Sequence, residues 1–347
     1  MNPPLVSFVV PCYKLSHFLA ECVDSIFSQS YDDIEVIIID DQSPDNTAEV
    51  SESILSSHSG RTVSYIVNRE NLGNIRTYNR GIKLAQGTYV WILSPDDRLR
   101  SRNIVEDYVG LMESDRTIGY TFCPGHVIDN DRDMGIYRRS QYCKKDTVLD
   151  GQQLVIDIVY NNFELLSPSV MIRKKCYEQI TFFPEDMPHR GDAYVWSLIA
   201  MQYKVGYFVE AMVDYRIHSN SMMSTLAREN FLRTVEDDIA VPWRVKAEAE
   251  KRGLPNIEKH CWGAIVKIYS LALLRVSNRG YVYRLPVKEF EASLSRFEAN
   301  PIVRFRIRAR VLSAFLLSIP RRSAAKLWRS VWPSVGSAQT KRMMARQ

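Results

Sequence analysis

Apolar and amphipathic segments alternate through the first hundred residues, and this alternation restricts the fold more than any other feature of the sequence. The apolar segments are short and rich in β-branched residues, which predicts a buried strand at residues 5–10 (ended by Pro11) and further strands at 34–39, 63–67 and 89–93. The intervening segments predict helices at residues 16–28, from Ser43-Pro44-Asp45 onward, and at residues 75–85. Strict alternation predicts an α/β fold with a mostly parallel sheet and helices on both faces.

Acidic pairs follow two of the predicted strands. Asp40 and Asp41 end the second strand, and Asp96 and Asp97 follow the fourth. Because ligands of such sheets bind beyond the carboxyl ends of the strands, all four carboxylates are expected at one crevice. Crowded carboxylates repel one another, and a divalent cation such as Mn²⁺ or Mg²⁺ relieves the repulsion. Asp is also common in turns, so one pair alone means little, whereas two pairs favour a metal site.

Two motifs that bind nucleotide phosphates, GxGxxG and GxxxxGK[ST], do not occur in the sequence. The crevice is therefore expected to bind a diphosphate through a carboxylate-bound cation. A nucleotidyltransferase is one alternative with the same layout. Such an enzyme usually has a glycine-rich basic loop after the first strand, whereas this chain has PCYKLSHF there.

Several segments, in order, resemble inverting glycosyltransferases of family 2, which have the GT-A fold. The opening segments are VSFVVPCYK, LAECVDSIFSQSYDDIEVIIIDDQSPDNT and NRENLGNIRTYNRGIKLAQGTYVWILSPDD, and the closing one is RGDAYVWSLIAMQYKVGYFVEAMVDYRIHSNSMM. The resemblance implies a GT-A catalytic domain at residues 1–225. It also implies an inverting hexosyltransferase that moves a sugar from a nucleoside-diphosphate sugar, with a UDP-sugar favoured, to a glycan or lipid-linked acceptor. The setting implied is cell-surface polysaccharide synthesis, as for O-antigen, capsule or lipopolysaccharide.

The resemblance assigns roles to individual residues. Asp192 takes the place of the catalytic base, and Asp96, Asp97 and His218 take the places of metal-contacting residues. The positions that match nucleotide-sugar contacts are Pro11, Tyr13, Asp41, Asn71, Gly73, Asn79, Ser94 and Asp96.

Two positions depart from the family pattern. Ser94 stands where the metal motif often begins with Asp, and Gly191 replaces the more usual acid before the base. Because a serine hydroxyl carries no charge, Ser94 also makes a second alternative thinkable, a non-catalytic sugar-nucleotide-binding or assembly protein.

Five side chains have both a functional and a structural interpretation. Asp192 is a suitable general base, but Asp also caps helices, and here a helix is expected to begin at Ala193. His218 is either a metal ligand beside the polar residues 219–221 or a solvated histidine. Arg216 either reaches the diphosphate or forms a salt bridge. Phe163 and Trp196 either stack on sugar rings or fill the core.

The charge of the chain is unevenly distributed. Residues 301–347 hold eleven Lys and Arg and no Asp or Glu, so the overall net charge of +5 conceals a net −6 over residues 1–300. Residues 321–332 place Leu327, Trp328 and Trp332 opposite Arg322 and Lys326, the pattern of a helix at an anionic membrane surface. A basic helix packed on the catalytic domain is the alternative. No nucleic-acid partner is expected from so mild a total charge.

The remaining features concern domains and location. Residues 226–300 have helical spacing, with helices predicted at 227–252, 257–277 and 286–299, and are expected to form a helical extension before the basic tail. No long apolar run, leader pattern or regular cysteine spacing is present. The protein is therefore expected in the cytoplasm, peripheral on the inner face of the cytoplasmic membrane.

Overall fold

The computed structural model describes residues 3–129, 132–180, 182–218 and 231–278, together with the single positions 305, 309 and 313. No helix in these ranges is long and apolar enough to span a membrane. The basic segment 321–332, the predicted helix at 286–299 and the polar residues 219–221 lie outside the described residues.

An eight-stranded sheet forms the centre of the molecule. Its strands are β1 (Val6–Cys12), β2 (Ile34–Asp40), β3 (Thr62–Val67), β4 (Tyr89–Ile92), β6 (Ile118–Phe122), β9 (Thr147–Leu149), β10 (Met171–Arg173) and β11 (Lys204–Tyr207). They are ordered β3-β2-β1-β4-β10-β6-β11-β9. Strands β3, β2, β1 and β4 are parallel to one another, as are β6 and β11, while β10 and β9 run antiparallel to their neighbours. The prediction of a mostly parallel sheet is confirmed.

A second, four-stranded sheet lies beside the carboxyl end of β4. Its strands are β5 (Arg98–Leu99), β7 (Gly125–Asp129), β8 (Arg132–Ile136) and β12 (Val213–Arg216), ordered β5-β12-β7-β8. Strand β5 begins directly after Asp97, and β12 ends two residues before His218. Pairing of β5 with β12 therefore brings the acidic pair and the histidine into one region.

Helices cover both faces of the large sheet. They are α1 (Ser16–Phe27), α2 (Thr47–Ser57), α3 (Asn74–Leu84), α4 (Ile104–Ser114), α5 (Gly151–Val159), α6 (Lys174–Gln179) and α7 (Gly191–Ala200). Alternate residues of β1 face opposite sides, so that Phe8 and Val10 pack with α1 and α4 while Val9 packs with α3 and α7. Two apolar cores result, one on each face.

Two long helices follow, α8 (Phe231–Lys251) and α9 (Pro255–Asn278), where helices were predicted at 227–252 and 257–277. Their apolar residues, including Val241, Val245 and Cys261, join the same core as Val9, Trp196 and Leu198. The two helices therefore pack as part of the main body.

Two predicted boundaries were wrong for local reasons. Strand β1 continues through Pro11 to Cys12. Its pairing with β4 ends at Val9, so no strand faces Pro11 on that side and the N–H that proline lacks is not needed for a sheet hydrogen bond. Helix α2 begins at Thr47 and not at Ser43-Pro44-Asp45. The Asp45 carboxylate accepts from Thr47 N at 3.3 Å and from Ser16 N at 3.2 Å, which holds residues 43–46 as a turn.

Candidate active site

A cavity of about 950 Å³ opens at the carboxyl ends of β1, β2 and β4. Its wall contains every residue to which the family resemblance assigned a role except Asn79, namely Pro11, Tyr13, Asp41, Asn71, Gly73, Ser94, Asp96, Asp97, Asp192 and His218. The topology thus brings together side chains that are up to about two hundred residues apart in sequence.

Asp41 organises the end of this cavity that lies beside the start of α3. The carboxylate is 4% exposed and accepts hydrogen bonds from Asn68 Nδ2 at 2.6 Å, Leu72 N at 2.8 Å and Gly73 N at 2.8 Å. Three donors on one carboxylate fix the loop that precedes α3 and carries Asn71 into the cavity.

Asp40 does not join the crevice, so the expectation of four gathered carboxylates was wrong for this residue. Adjacent residues at a strand end point to opposite sides. The Asp40 carboxylate accepts from Ser43 N at 2.7 Å and from the Tyr65 hydroxyl at 2.8 Å. Its role in the structure is to hold the turn before α2.

Asp96 and His218 lie next to each other in the cavity wall. His218 Nε2 lies 3.1 Å from Asp96 Oδ2, while Asp96 Oδ1 is buried with no hydrogen-bond partner among the described residues. Both side chains are at most 16% exposed. A buried carboxylate oxygen without a donor, beside an imidazole, has the ligand chemistry that a divalent cation requires.

Asp97 lies behind this pair. Its carboxylate is 5% exposed and accepts from Arg216 N at 3.0 Å. Burial and the neighbouring charge of Asp96 raise the pKa of Asp97 well above its ordinary value, against the opposing effect of the Arg216 amide and guanidinium. No group of three His, Cys, Asp or Glu side chains in the described ranges is close enough to hold a metal ion. Asp96 and His218 are thus the candidate ligands, and burial disfavours the ionised form of Asp97 beside them.

Arg216 makes the structural contacts that were the alternative to diphosphate binding. Its guanidinium forms a 2.7 Å ion pair with Glu21, donates to the Asp96 carbonyl at 3.0 Å and lies 4.5 Å from the centre of the Phe18 ring. The side chain is 3% exposed. Arg216 thus supports the backbone that carries Asp96.

Asp192 enters the cavity from the first turn of α7. The predicted helix start at Ala193 was wrong: α7 begins at Gly191, and Asp192 Oδ1 accepts from Ala193 N at 2.6 Å inside the first turn. Burial raises the pKa of Asp192 above its ordinary value, while the positive charge of Arg190 opposes the rise and Glu164 adds to it. A carboxylate with a raised pKa is a stronger base.

Asn79 lies off the cavity wall. Its amide donates to the Phe183 carbonyl at 2.9 Å and accepts from Phe183 N at 2.9 Å, so both of its polar atoms tie α3 to the chain before α7. On α3 the cavity is lined instead by Asn74, Thr77 and Tyr78. These three share one helical face, and residue 79 lies roughly 100° further round the helix than residue 78.

Sequence reasoning missed Tyr78, Glu164 and His189, which all line the cavity. The helical spacing from Asn74 to Tyr78 is a signal that could have found Tyr78. Glu164 is held by the Tyr137 hydroxyl at 2.8 Å and lies near Phe163 and Trp196 on the apolar side of the cavity. No local sequence pattern marks Glu164 or His189.

Comparison with known proteins agrees with this geometry. The sequence model described as "Glycosyl transferase family 2" matches residues 7–178. An uncharacterized glycosyltransferase of Haemophilus influenzae is 28% identical over 233 residues, which are 66% of this chain and 70% of that protein. Residues 7–178 therefore form a glycosyltransferase family 2 domain.

Solved structures share the fold. S. aureus TarS 1-349 in complex with UDP-GlcNAc superposes with a TM-score of 0.67 at 19% identity, over 95% of this chain and 91% of that one. The mannosyltransferase PcManGT from Pyrobaculum calidifontis, in complex with GDP-Man and Mn²⁺, gives a TM-score of 0.53 at 18% identity, over 96% and 89% of the two chains. At such identities the likeness establishes the fold, and the predicted GT-A fold is confirmed.

Proposed function

We propose that this glycosyltransferase moves a sugar from a nucleoside-diphosphate sugar to a hydroxyl of a glycan or lipid-linked acceptor, with inversion at the anomeric carbon. The observation that carries the proposal is that one cavity holds the Asp96–His218 pair and the Asp192 carboxylate. A diphosphate site and a base in the same cavity are what a single displacement requires.

A divalent cation, Mn²⁺ or Mg²⁺, fits the donor end of the cavity. Asp96 and His218 would hold it, and its positive charge would favour ionisation of Asp97, which burial otherwise opposes. Such an ion keeps open positions for phosphate oxygens and stabilises a departing diphosphate as a Lewis acid. A structural relative of this chain was solved with GDP-Man and Mn²⁺.

Asp192 is proposed as the general base. The acceptor oxygen attacks the anomeric carbon, the bond from that carbon to the diphosphate oxygen breaks, and the acceptor proton passes to Asp192. The bond to Ala193 N fixes the direction of the carboxylate. Burial and the raised pKa of Asp192 strengthen it as a base.

A UDP-sugar is the proposed donor, since a relative of the same fold binds UDP-GlcNAc. Pro11, Tyr13, Asn71 and the Asp41-held loop would form the nucleoside end, with Ser94 next to the diphosphate. The apolar side, with Phe163, Trp196 and Leu166, would receive the acceptor. We assign the product to cell-surface polysaccharide synthesis at the inner face of the cytoplasmic membrane, where the basic tail would bind.

The test combines binding and turnover. UDP-GlcNAc, other UDP-sugars and GDP-mannose are screened by thermal shift with and without Mn²⁺, since a ligand bound only by the native state raises stability. Release of the nucleoside diphosphate from the stabilising donor is then measured. Asp192→Asn is expected to lower turnover about a hundredfold to ten-thousandfold while UDP still binds.

Two results would contradict the proposal. Full turnover in Asp192→Asn removes Asp192 as the base. Donor binding without any turnover, in the presence of Mn²⁺ and a range of acceptors, favours a non-catalytic sugar-nucleotide-binding protein. Glu250→Gln, an exposed substitution on α8, serves as the control for purification and assay.

A further inference from the structure

The chain before α7 has no helix or strand of its own from residue 182 to residue 190, yet it places Asp192 in the cavity. We call residues 186–192 the base loop. Pro188, His189 and Arg190 of this loop line the same cavity as Asp192. Few local backbone hydrogen bonds hold it: Met187 N donates to the Pro184 carbonyl at 3.1 Å, and Gly191 N donates to the Met187 carbonyl at 3.0 Å. Its position must therefore be set by what packs on it.

Helix α8 provides that support. Asp237 Oδ2 accepts from His189 N at 3.1 Å, and Asp238 Oδ1 lies 3.4 Å from Arg190 Nε. Arg244 pairs with the Asp186 carboxylate through two nitrogens, one of them at 3.1 Å, and Arg233 donates to the Asp186 carbonyl. Contacts reach the loop at residues 186, 189 and 190, directly before the base.

Asp237 contacts the base loop from a buried position and not from the solvated surface. Asp237 is 2% exposed, and its second oxygen lies 3.1 Å from Arg233 Nε on the same helix. A buried carboxylate that accepts from a backbone amide makes a strong, directional bond. Removing it leaves the His189 N–H without its partner in a protein interior, which is costly.

We propose that Asp237 and Asp238 are positioning residues for sugar transfer, because α8 holds the base loop and so fixes Asp192 against the acceptor. The inference rests on the proposed role of Asp192. It extends the catalytic machinery to a helix that lies beyond the family match at residues 7–178 and beyond the domain boundary predicted at residue 225.

Three variants separate the contributions. Asp237→Asn keeps an oxygen that accepts from His189 N but loses the charge, Asp237→Ala loses both, and Asp238→Asn loosens only Arg190. Glu250→Gln is the matched control, because it removes an ion pair with Lys246 from the same helix without touching the base loop.

Two readouts are measured on the full chain: hydrogen exchange of the peptide that covers residues 186–192, and the kcat and KM for UDP release from UDP-GlcNAc with Mn²⁺. In Asp237→Ala and Asp238→Asn we expect faster exchange of the loop. We also expect kcat to fall about tenfold to a hundredfold with KM changed by less than about twofold, since displacement of a reacting group by about 1 Å has effects of this size. Asp237→Asn is expected to lose less, and Glu250→Gln to match the unaltered chain.

The location of the exchange change distinguishes positioning from general damage, because a weakened fold speeds exchange throughout the chain, whereas a loosened base loop speeds it at residues 186–192. Unchanged exchange together with unchanged kcat in Asp238→Asn and Asp237→Ala would overturn the inference. If Asp237→Ala fails to fold, Asp238→Asn and Asp237→Asn decide it by the same two readouts. Turnover that survives Asp192→Asn refutes the base assignment instead, and the exchange data then still show whether α8 holds the loop.

Discussion

The chemistry of the cavity depends on how a few carboxylates are surrounded. The Asp41 carboxylate accepts hydrogen bonds from several donors. The Asp97 carboxylate is buried near the like charge of Asp96, and the Asp192 carboxylate is buried near the positive charge of Arg190. Aspartate therefore anchors a loop at position 41, has its ionised form disfavoured at position 97, and is proposed as the base at position 192. Neighbours that lie far apart in sequence decide between these roles, which explains why residue type alone did not separate Asp40 from Asp41.

The acidic limb of the pH–rate profile should report Asp192. The base must be ionised, so turnover falls as the pH drops through the pKa of Asp192, which burial raises above the ordinary Asp range. Arg190 lowers that pKa. Arg190→Gln should therefore move the acidic limb of kcat to higher pH. A limb that stays in place, or moves to lower pH, would contradict the assignment, and Glu250→Gln should leave the profile unchanged.

Asp237 makes a separate prediction about stability. Burial raises its pKa to about 6, although the His189 amide and the Arg233 charge oppose the rise. The folded state then binds more protons than the unfolded state between about pH 4 and pH 6, so this group's contribution to stability falls as the pH rises through that window. Asparagine does not titrate, so the stability of Asp237→Asn lacks this contribution to its pH dependence.

Urea unfolding of both proteins at several pH values measures the difference. The stability of Asp237→Asn relative to the unaltered chain should increase from pH 4 to pH 7, and a constant difference would show that Asp237 titrates normally. Because the same substitution is expected to lower kcat, Asp237 would be a residue retained for positioning at some cost in stability.

At the scale of elements, the ends of β2 and β4 were predictable to within one residue, whereas the end of β1 and the loops between the elements were not. Buried strands appear as apolar runs, and the ends of β2 and β4 lie where the sequence turns acidic. By contrast, the start of α2 depends on Asp45 bonding to Ser16 on another helix, and the placement of Asn79 depends on Phe183, about a hundred residues away. Contacts of that kind leave no periodic pattern in the sequence.

The turn into α3 provides a test at this scale. Gly73 has φ +78° and ψ 165°, a conformation open almost only to glycine, and its N–H donates to Asp41. A Cβ there would meet no atom within 4 Å, so Gly73→Ala should cost backbone strain alone, about 1–3 kcal/mol. The affinity for UDP should fall as well, because the strain acts on the loop that lines the nucleoside end.

Gly60→Ala is the matched control, since its Cβ also meets nothing within 4 Å and its φ is not in the glycine-specific range. It should change the free energy of unfolding by less than about 0.5 kcal/mol and leave UDP affinity unchanged. Equal effects of the two substitutions, in denaturant unfolding and UDP titration, would show that the Gly73 conformation is not required.

For the molecule as a whole, α8 and α9 share an apolar core with the strands and helices that precede residue 225. Val241, Val245 and Cys261 lie in the same core as Val9 and Trp196, and α8 holds the base loop through Asp237 and Asp238. After residue 225 the chain no longer alternates between strands and helices and forms only helices among its described residues, yet these helices belong to the same apolar core. Periodicity shows that α8 and α9 are helices, but only their packing shows what they are attached to.

The basic segment 301–347 is predicted to bind an anionic membrane surface. Eleven cations without an acidic residue, together with Trp328 and Trp332, predict binding to anionic lipid, with each cation near the surface contributing about 1 kcal/mol. The full chain should co-sediment with phosphatidylglycerol vesicles and lose most of that binding at high salt or on phosphatidylcholine alone. Deletion of residues 301–347 should abolish it, whereas Trp328→Ala with Trp332→Ala should weaken it without removing the salt dependence. Binding that survives the deletion would place the membrane contact on the body of the enzyme. That result would be unexpected electrostatically, because residues 1–300 carry a net charge of −6 and anionic lipid repels such a surface.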